Sequence, residues 1–331
     1  MSVKWGVLGT AGIAKGCTIP GMLLAKNCEL YAVAGRNEEK ARRYKEEFGF
    51  EKYYVGYENL LNDPEVQAVY VPLPNHLHAE WAIKALKAGK HVLVEKPMAM
   101  NAKEAEEMFK AAKENNVYLM EAYAYLHNEY IKSLTDDIKS GLIGKVDFID
   151  TAFHTQNYSE NVRLYKEQGG GAVYDVGCYC STMILTILNA ASNKGYRDGI
   201  ANLMADAYFS DNGVDELAQT MIEFEDGIRA TFNVGMNLGV DTHHRYDRLF
   251  IHGDKGFIRS DVEYNQSGEV SYKVVSEGRE IIRKVNVSNN YCLEVSQLTR
   301  AILGQEKPYI TEDFSLTNAR LLDDVLAKIG Y

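Results

Sequence analysis

Apolar residues in the first third of the chain form short continuous runs separated by longer amphipathic stretches. The runs lie at residues 3–8, 29–34, 66–71, 91–94 and 117–120. The stretches at residues 37–48, 79–88 and 102–115 carry charges on one face, which is typical of surface helices. Buried strands that alternate with helices predict a parallel sheet with helices on both faces.

The pattern changes after residue 122. Helices are predicted at residues 128–139 and 175–188, together with a strand at residues 146–155 and a glycine loop at residues 169–171. Alternating runs follow at residues 202–209, 217–224, 228–234, 248–251, 270–275 and 280–287, and two helices at residues 291–303 and 313–329 come last. Such alternation is typical of an antiparallel sheet with one covered face.

Together these patterns predict an α/β protein with two domains. A Rossmann domain with a doubly wound parallel sheet is expected over residues 1–122. An α+β domain that binds substrate is expected over residues 123–331, with a large, mostly antiparallel open sheet. Because the uncovered face of that sheet would expose apolar residues, we expect a homodimer or homotetramer that associates through it.

Composition narrows the classes of function. The net charge is −10 and no basic run occurs, which argues against nucleic-acid binding. No uninterrupted apolar stretch is long enough to span a bilayer, and the first residues lack the layout of a signal peptide, so no membrane association is expected. Five irregularly spaced cysteines suggest no disulfide framework, which predicts a reducing, cytoplasmic location.

A glycine-rich turn directly follows the first strand and opens a helix. Set against the dinucleotide motif G-x-G-x-x-G/A, Gly9 is the first glycine, Ala11 replaces the second, and Ala14 takes the third place. Helix N-termini bind phosphate through free N–H groups and the helix dipole. We therefore expect Gly9, Ala11, Gly12, Ile13 and Ala14 to bind a dinucleotide; the alternative is a turn used only for packing.

The second strand ends at Gly35-Arg36, where NAD-binding units usually carry an acidic residue for the ribose diol. Arginine can hold a 2′-phosphate with two parallel hydrogen bonds and can stack on adenine. Gly35 and Arg36 are therefore expected at the cofactor, and NADP(H) is favoured over NAD(H). The alternative is a surface arginine at the start of the next helix.

The third strand runs into a loop made rigid by two prolines, at the same edge of the sheet. Leu73, Pro74, Asn75 and His78 are expected to contact the cofactor, and capping of the next helix is the alternative for the last two. His76 and His78 have no third potential ligand nearby in the sequence, so no metal site is expected.

The strand at residues 91–94 runs directly into Glu95-Lys96-Pro97. The carboxyl ends of parallel strands are where open α/β sheets bind ligands, so Lys96 is well placed for chemistry and Glu95 for the cofactor. A strand-end pair of opposite charges is the alternative.

These motifs together resemble the Gfo/Idh/MocA family of oxidoreductases over essentially the whole chain. They are WGVLGTAGIA (residues 5–14), AGR (34–36), PNHLH (74–78), EKP (95–97), EAY (121–123) and GGGAVYDVGCY (169–179). The nearest branch contains dihydrodiol and aldose (xylose or glucose) dehydrogenases and glucose–fructose oxidoreductase. The resemblance implies that Lys96 lies by the nicotinamide and that the peptide before Pro97 is often cis.

The same resemblance implies that Lys96, Asp175 and Tyr179 are catalytic. If one helix carries Asp175 and Tyr179, their spacing puts them on one face. A tyrosine is a poor base at neutral pH unless a cation is close, so we expect Tyr179 to be the general acid–base and Lys96 to supply the cation. Asp175 would orient the substrate or the lysine. The sequence leaves open whether Lys96 itself carries the proton.

Further residues are candidates for lining the substrate pocket. Arg163 and Tyr165 precede the glycine loop, and His154 ends a strand, although a half-buried structural histidine is an equal alternative. His243 and His244 lie in a polar loop and are expected to face solvent.

The expected function is hydride transfer between NADP(H) and a CHOH or C=O group of a sugar, cyclitol or dihydrodiol, with a small polyol or carbonyl compound as the partner. The alternative is an NADP-binding regulator without turnover. A regulator has no need of Lys96, Asp175 and Tyr179 together, so the sequence favours the enzyme.

Overall fold

The computed structural model describes residues 2–156, 161–192, 199–238 and 245–331. The chain divides into two compact units: unit 1 is Met1–His127 with Ser288–Ser315, and unit 2 is Asn128–Val287 with Leu316–Tyr331. The sequence predicted a single boundary at residue 122. In the structure, residues 288–315 return to unit 1 as a second segment. An amphipathic helix carries no local mark of the unit against which it packs, so the sequence did not indicate this return.

Unit 1 contains a six-stranded sheet in the order β3-β2-β1-β4-β5-β6, in which all neighbours are parallel. Its strands are β1 (Val3–Leu8), β2 (Cys28–Gly35), β3 (Lys52–Val55), β4 (Ala68–Val71), β5 (His91–Glu95) and β6 (Leu119–Ala122). Its helices are α1 (Ile19–Leu24), α2 (Glu38–Phe48), α3 (Tyr57–Leu61), α4 (His78–Lys87), α5 (Ala102–Glu114) and α8 (Asn290–Ile302). The predicted doubly wound parallel sheet is confirmed.

Local sequence signals explain most of these elements. Every residue of β4 is buried, as parallel strands covered on both faces require. The Asn37 side chain caps α2 by accepting from Lys40 N at 2.9 Å, and the Asn101 side chain caps α5 in the same way. Gly49 ends α2 in the left-handed conformation. The sequence missed β3, because its four residues KYYV form no apolar run.

Unit 2 contains an eight-stranded sheet in the order β14-β13-β12-β11-β7-β10-β9-β8, in which only β7 and β10 are parallel. Its strands are β7 (Val146–Thr155), β8 (Ile200–Phe209), β9 (Asp215–Phe224), β10 (Arg229–Gly235), β11 (Arg245–Gly253), β12 (Gly256–Ser260), β13 (Gly268–Ser276) and β14 (Arg279–Val287). Its helices are α6 (Glu129–Lys139), α7 (Cys178–Ser192) and most of α9 (Glu312–Ile329). The mostly antiparallel sheet is confirmed; the short strand β12 was missed.

The two faces of this sheet differ. On one face, α7 packs against β7 through contacts such as Cys180 with Thr151. On the other face, large apolar side chains stay exposed on β8 and β9: Met204 at 52%, Tyr208 at 74% and Met221 at 53%. The helical run Lys166–Ser192 is long and apolar enough to cross a membrane by length and composition, but 83% of its most apolar window is buried inside the protein, which is typical of a core helix.

Candidate active site

The glycine turn lies where the order of the parallel sheet reverses. β1 has β2 on one side and β4 on the other, and such a switch point is where open α/β sheets bind ligands. Gly9 follows β1 with φ +116°, a conformation that other residues rarely adopt. A Cβ at Gly9 would lie 3.0 Å from Leu73 Cδ2, so the loops that follow β1 and β4 touch here.

The helix start beyond the turn is open. A Cβ on Gly12 would have no heavy atom within 4 Å, and Ile13 is 37% exposed, whereas Ala14 is buried. The Ala11 carbonyl accepts a hydrogen bond from the Tyr44 hydroxyl at 3.3 Å. An exposed helix N-terminus with room above Gly12 fits the phosphates of a dinucleotide.

The helix contains a π-helical turn over Ala14–Thr18, closed by the bond from Ile19 N to Ala14 O. π-helical turns are rare and occur frequently at functional sites. This turn brings Thr18 inward, where its hydroxyl donates to the Tyr70 hydroxyl at 2.9 Å.

At the end of β2, Arg36 is exposed and interacts with the Tyr57 hydroxyl. Burial raises the pKa of Tyr57, and the nearby guanidinium opposes that rise. Gly35 is close-packed: a Cβ there would lie 3.3 Å from Ala41 Cβ. An exposed guanidinium in place of the usual acid fits a 2′-phosphate.

In the loop after β4, Leu73, Pro74 and Asn75 are partly exposed at the switch point. His78 is different, because it is fully buried. Its Nδ1 lies 2.8 Å from Pro97 O and its Nε2 lies 2.7 Å from Leu73 O. His78 therefore lies between the carbonyl oxygens of two loops, and a neutral ring donates to only one of them. A contact between His78 and the cofactor stays a prediction. Burial lowers the pKa of His78 to about 4, although both carbonyls favour the charged ring.

Glu95 ends β5 and Lys96 follows it, and the Lys96–Pro97 peptide is cis, as the resemblance implied. Glu95 is buried and its Oε1 accepts from the Tyr70 hydroxyl at 2.5 Å. Its Oε2 accepts from Lys96 N at 3.2 Å. Lys96 is partly exposed.

In unit 2, Asp175 lies in a second π-helical turn, Val173–Gly177, which leads directly into α7. Asp175 Oδ2 accepts from Arg163 Nε at 2.6 Å, so two residues that the sequence assigned to separate roles form an ion pair. Gly170 makes this possible, because a Cβ there would lie 2.4 Å from Arg163 O. Tyr165 contributes its carbonyl to the same loop by accepting from Gly170 N at 3.0 Å.

Tyr179 stands at the start of α7 among residues that the sequence did not mark. Its ring contacts Phe153 and Tyr264, with centroid distances of 5.4 and 5.2 Å. The Asn265 side-chain amide donates to its hydroxyl at 3.4 Å. The Arg245 guanidinium lies 4.2 Å from the Phe153 ring centroid and interacts electrostatically with Tyr179. No motif points to these neighbours, because they come from distant strands and loops.

His154 lies away from the contact between Phe153 and Tyr179. Successive side chains on β7 point to opposite faces of the sheet, and Phe153 contacts Tyr179. His154 therefore lies on the other face, where its ring stacks on Tyr246 at 6.1 Å. Burial lowers the pKa of His154, as expected for a neutral structural histidine. A contact between His154 and substrate stays a prediction.

Two further expectations concern histidines and metals. His243 and His244 lie outside the described residues. Within the described ranges, no group of three or more His, Cys, Asp or Glu side chains is arranged to hold a metal ion.

Comparison with known families covers both units. A family model described as "Oxidoreductase family, NAD-binding Rossmann fold" matches residues 3–123, and the "GFO/IDH/MocA C-terminal domain" matches residues 131–259. The chain belongs to the Gfo/Idh/MocA family of oxidoreductases. It is therefore an NAD(P)-dependent oxidoreductase by family, in agreement with the resemblance seen in the sequence.

Individual relatives match two thirds of the chain or more. A D-xylose 1-dehydrogenase (NADP(+)) of Haloferax volcanii is 28% identical over 98% of this chain and 96% of its own length. A trans-1,2-dihydrobenzene-1,2-diol dehydrogenase of Xenopus laevis is 32% identical over 68% of this chain and 66% of its own. The crystal structure of KijD10, a 3-ketoreductase from Actinomadura kijaniata in complex with NADP and TDP-benzene, matches with a TM-score of 0.89 and 27% identity, covering 99% of this chain and 98% of that one.

Proposed function

We propose that this protein is an NADP(H)-dependent oxidoreductase. It would transfer a hydride between the nicotinamide and a CHOH or C=O group of a sugar, cyclitol or dihydrodiol. The observation that carries this proposal is the open glycine turn at the switch point of the sheet, with Arg36 exposed at the end of the neighbouring strand. Relatives named for NADP-linked xylose oxidation and for NADP-bound ketone reduction support it.

In this proposal the exposed helix start at Gly12 and Ile13 binds the pyrophosphate, and Arg36 binds the 2′-phosphate. Leu73, Pro74 and Asn75 border the cofactor at the switch point. When bound, the nicotinamide supplies or accepts the hydride. The chain's own side chains then have to place the substrate and move one proton.

We assign the proton to the Tyr179 hydroxyl, with Lys96 as the cation that stabilises the phenolate and donates to the substrate oxygen. The Asp175 carboxylate, held by Arg163, would orient the substrate hydroxyl. In this proposal Arg163 positions the Asp175 carboxylate and does not itself contact the substrate. The pairing of Arg163 with Asp175 at 2.6 Å supports this role.

A fluorescence titration with NADPH and, separately, NADH tests the cofactor assignment. Wild-type protein is expected to bind NADPH at least about tenfold more tightly, because a charge-assisted bidentate contact to phosphate has no counterpart in NADH. Arg36→Ala should remove that preference while leaving the NADH affinity nearly unchanged. Arg42→Ala, at an exposed arginine on α2, is the matched control. A preference for NADH in the wild-type protein would overturn the assignment of Arg36.

We also propose that unit 2 associates with a second copy through the uncovered face of its sheet, giving a homodimer or homotetramer. The large exposed side chains of Met204, Tyr208 and Met221 support this, because exposed apolar side chains on one face of a sheet favour burial against a partner.

We also propose a reducing, cytoplasmic location. All five cysteines are free thiols, which supports this location.

A further inference from the structure

We propose that the short segment carrying Lys96, residues 95–98, is held by a set of buried side chains whose task is to position Lys96. We call this set the Lys96 clamp; it consists of Tyr70, His78, Glu95 and Glu121. All four side chains belong to unit 1 and all are buried. The inference rests on the proposed role of Lys96 in the reaction.

The first side of the clamp is a chain of hydroxyl groups that ends on Glu95. Thr18 donates to the Tyr70 hydroxyl at 2.9 Å, and Tyr70 donates to Glu95 Oε1 at 2.5 Å. The other oxygen of Glu95 accepts from the backbone N–H of Lys96. Thr18 lies on the helix that follows the glycine turn, so this chain connects the proposed phosphate site with the backbone of Lys96.

The second side of the clamp holds the residues after Lys96. His78 Nδ1 lies 2.8 Å from the carbonyl oxygen of Pro97. Glu121, on the neighbouring strand β6, accepts from Met98 N through Oε1 at 2.9 Å. Its other oxygen accepts from the Ser315 hydroxyl at 2.7 Å.

The register of the sheet shows why the clamp acts from two sides. Glu95 pairs with Ala122, and Val94 pairs with Glu121, so Glu95 and Glu121 belong to opposite faces of the sheet. The backbone on either side of Lys96 is thus tied to side chains from both faces. A lysine side chain has four rotatable bonds, so a fixed backbone is a precondition for a defined ammonium position.

Other buried acids lie near this segment, and burying an acid costs stability. Glu95 interacts electrostatically with Tyr70 from β4, Glu121 from β6 and Glu294 from α8. Among the described residues, Glu294 Oε1 has no hydrogen-bond partner, although the residue is 1% exposed. Isolated carboxyl groups are costly to bury, and buried polar networks that are retained despite such a cost often fix one particular geometry.

The test compares Tyr70→Phe with Tyr54→Phe. Tyr54 lies on β3 of the same sheet and donates to Asp63 at 2.7 Å, so it is a matched tyrosine–carboxylate pair outside the clamp. Lys96 is acylated in the cofactor-free protein over a range of pH, and the modified peptide is quantified by mass spectrometry. Cofactor Kd and kcat are measured on the same preparations.

In Tyr70→Phe, Glu95 loses the donor to its Oε1 and holds the backbone N–H of Lys96 less firmly. The rate of Lys96 labelling should then change by about threefold or more, because the backbone that places the ammonium is less fixed. kcat should fall by about ten- to a hundredfold, with the cofactor Kd within about twofold of wild type. Tyr54→Phe should leave all three quantities unchanged.

The clamp is overturned if Tyr70→Phe changes labelling and kcat no more than Tyr54→Phe does. Should Tyr70→Phe fail to fold, Thr18→Val removes only the donor to the Tyr70 hydroxyl and is held to the same criterion. A wild-type protein that bound neither NADPH nor NADH would overturn the proposed function. The labelling of Lys96 needs no cofactor, so the comparison of Tyr70→Phe with Tyr54→Phe would still decide whether the clamp exists.

Discussion

Asp215, at the start of β9, caps the helical run that carries Asp175 and Tyr179. Its Oδ2 accepts from Val173 N at 2.7 Å, while its Oδ1 faces Gly171. The Gly171 backbone has φ +101°, and a Cβ there would lie 1.9 Å from Asp215 Oδ1. Glycine is therefore required at this position both by the backbone conformation and by the close approach of the capping carboxyl group.

Gly171→Ala should lower the free energy of unfolding by about 3 kcal/mol or more, since the strain of a left-handed residue adds to the loss of the cap. Gly268→Ala is the control, because Gly268 has φ +91° but nothing within 4 Å of its Cβ position. That variant should lose only about 1–2 kcal/mol. Denaturant unfolding measures both, and equal losses would show that the contact with Asp215 is unimportant.

Tyr179→Phe tests the proposed acid–base group. Removal of the hydroxyl should lower kcat by about a hundredfold or more and leave the cofactor Kd unchanged, because general acid–base catalysis contributes on this scale. Tyr130→Phe is the control for loss of a buried hydroxyl, since Tyr130 donates to Ser260 at 2.8 Å. A kcat for Tyr179→Phe within about threefold of that of the control would show that Tyr179 is not the general acid–base.

At the scale of elements, the carboxyl ends of β5 and β6 carry acids in an apolar interior. Burial raises the pKa of Glu121 to about 7, and hydrogen bonds from Ser315 and Met98 N oppose that rise. A carboxyl group whose folded pKa lies above its unfolded value stabilises the fold at low pH. That stabilisation is lost as the pH rises towards the folded value.

Glu121→Gln should therefore gain stability relative to wild type as the pH rises from about 4.5 to 7, by about 1–3 kcal/mol. The neutral amide still offers an oxygen to Met98 N. Burial also raises the pKa of Asp215 to about 7, so Asp215→Asn is a second neutralising variant of the same kind in unit 2. Urea unfolding at several pH values measures the difference, and a pH-independent difference for Glu121→Gln would contradict the raised pKa.

The strands and helices were easier to predict than the helical irregularities and the faces on which side chains lie. Strands and helices of the parallel sheet followed from apolar runs, amphipathic stretches and caps such as Asn37 and Asn101. The π-helical turns at Ala14–Thr18 and Val173–Gly177 were not foreseeable, since an i→i+5 bond leaves no periodic signal over five residues. The face on which His154 lies was not foreseeable either, because it depends on the register of β7 with both neighbouring strands.

At the scale of the whole molecule, the proposed association concerns the face of the unit 2 sheet that carries Met204 and Met221. Met204 pairs with Met221 across β8 and β9, and Met221 pairs with Thr231 on β10, so these side chains form one row on that face. A charge in this row would have to be buried without a partner if a second copy covers it.

Met221→Glu should therefore convert the proposed oligomer to monomer at micromolar concentration, as measured by native mass spectrometry or sedimentation. Leu24→Glu is the control, because Leu24 is 60% exposed and belongs to unit 1. A wild-type protein that is itself monomeric under these conditions would contradict association through the sheet.

The sequence by itself determined the class of fold, the strand-and-turn motif around Gly9, the family and the main candidates Lys96, Asp175 and Tyr179. Each of these depends on residues that are close together in the chain, where spacing and residue type act directly. Only the tertiary structure decided that His78 is buried between two carbonyls and that Arg163 pairs with Asp175. It also decided that Tyr70 bonds to Glu95 and that Glu121 bonds to Met98, on either side of Lys96. These contacts join residues from different strands and loops, and a linear pattern carries no information about which distant side chains share a buried volume.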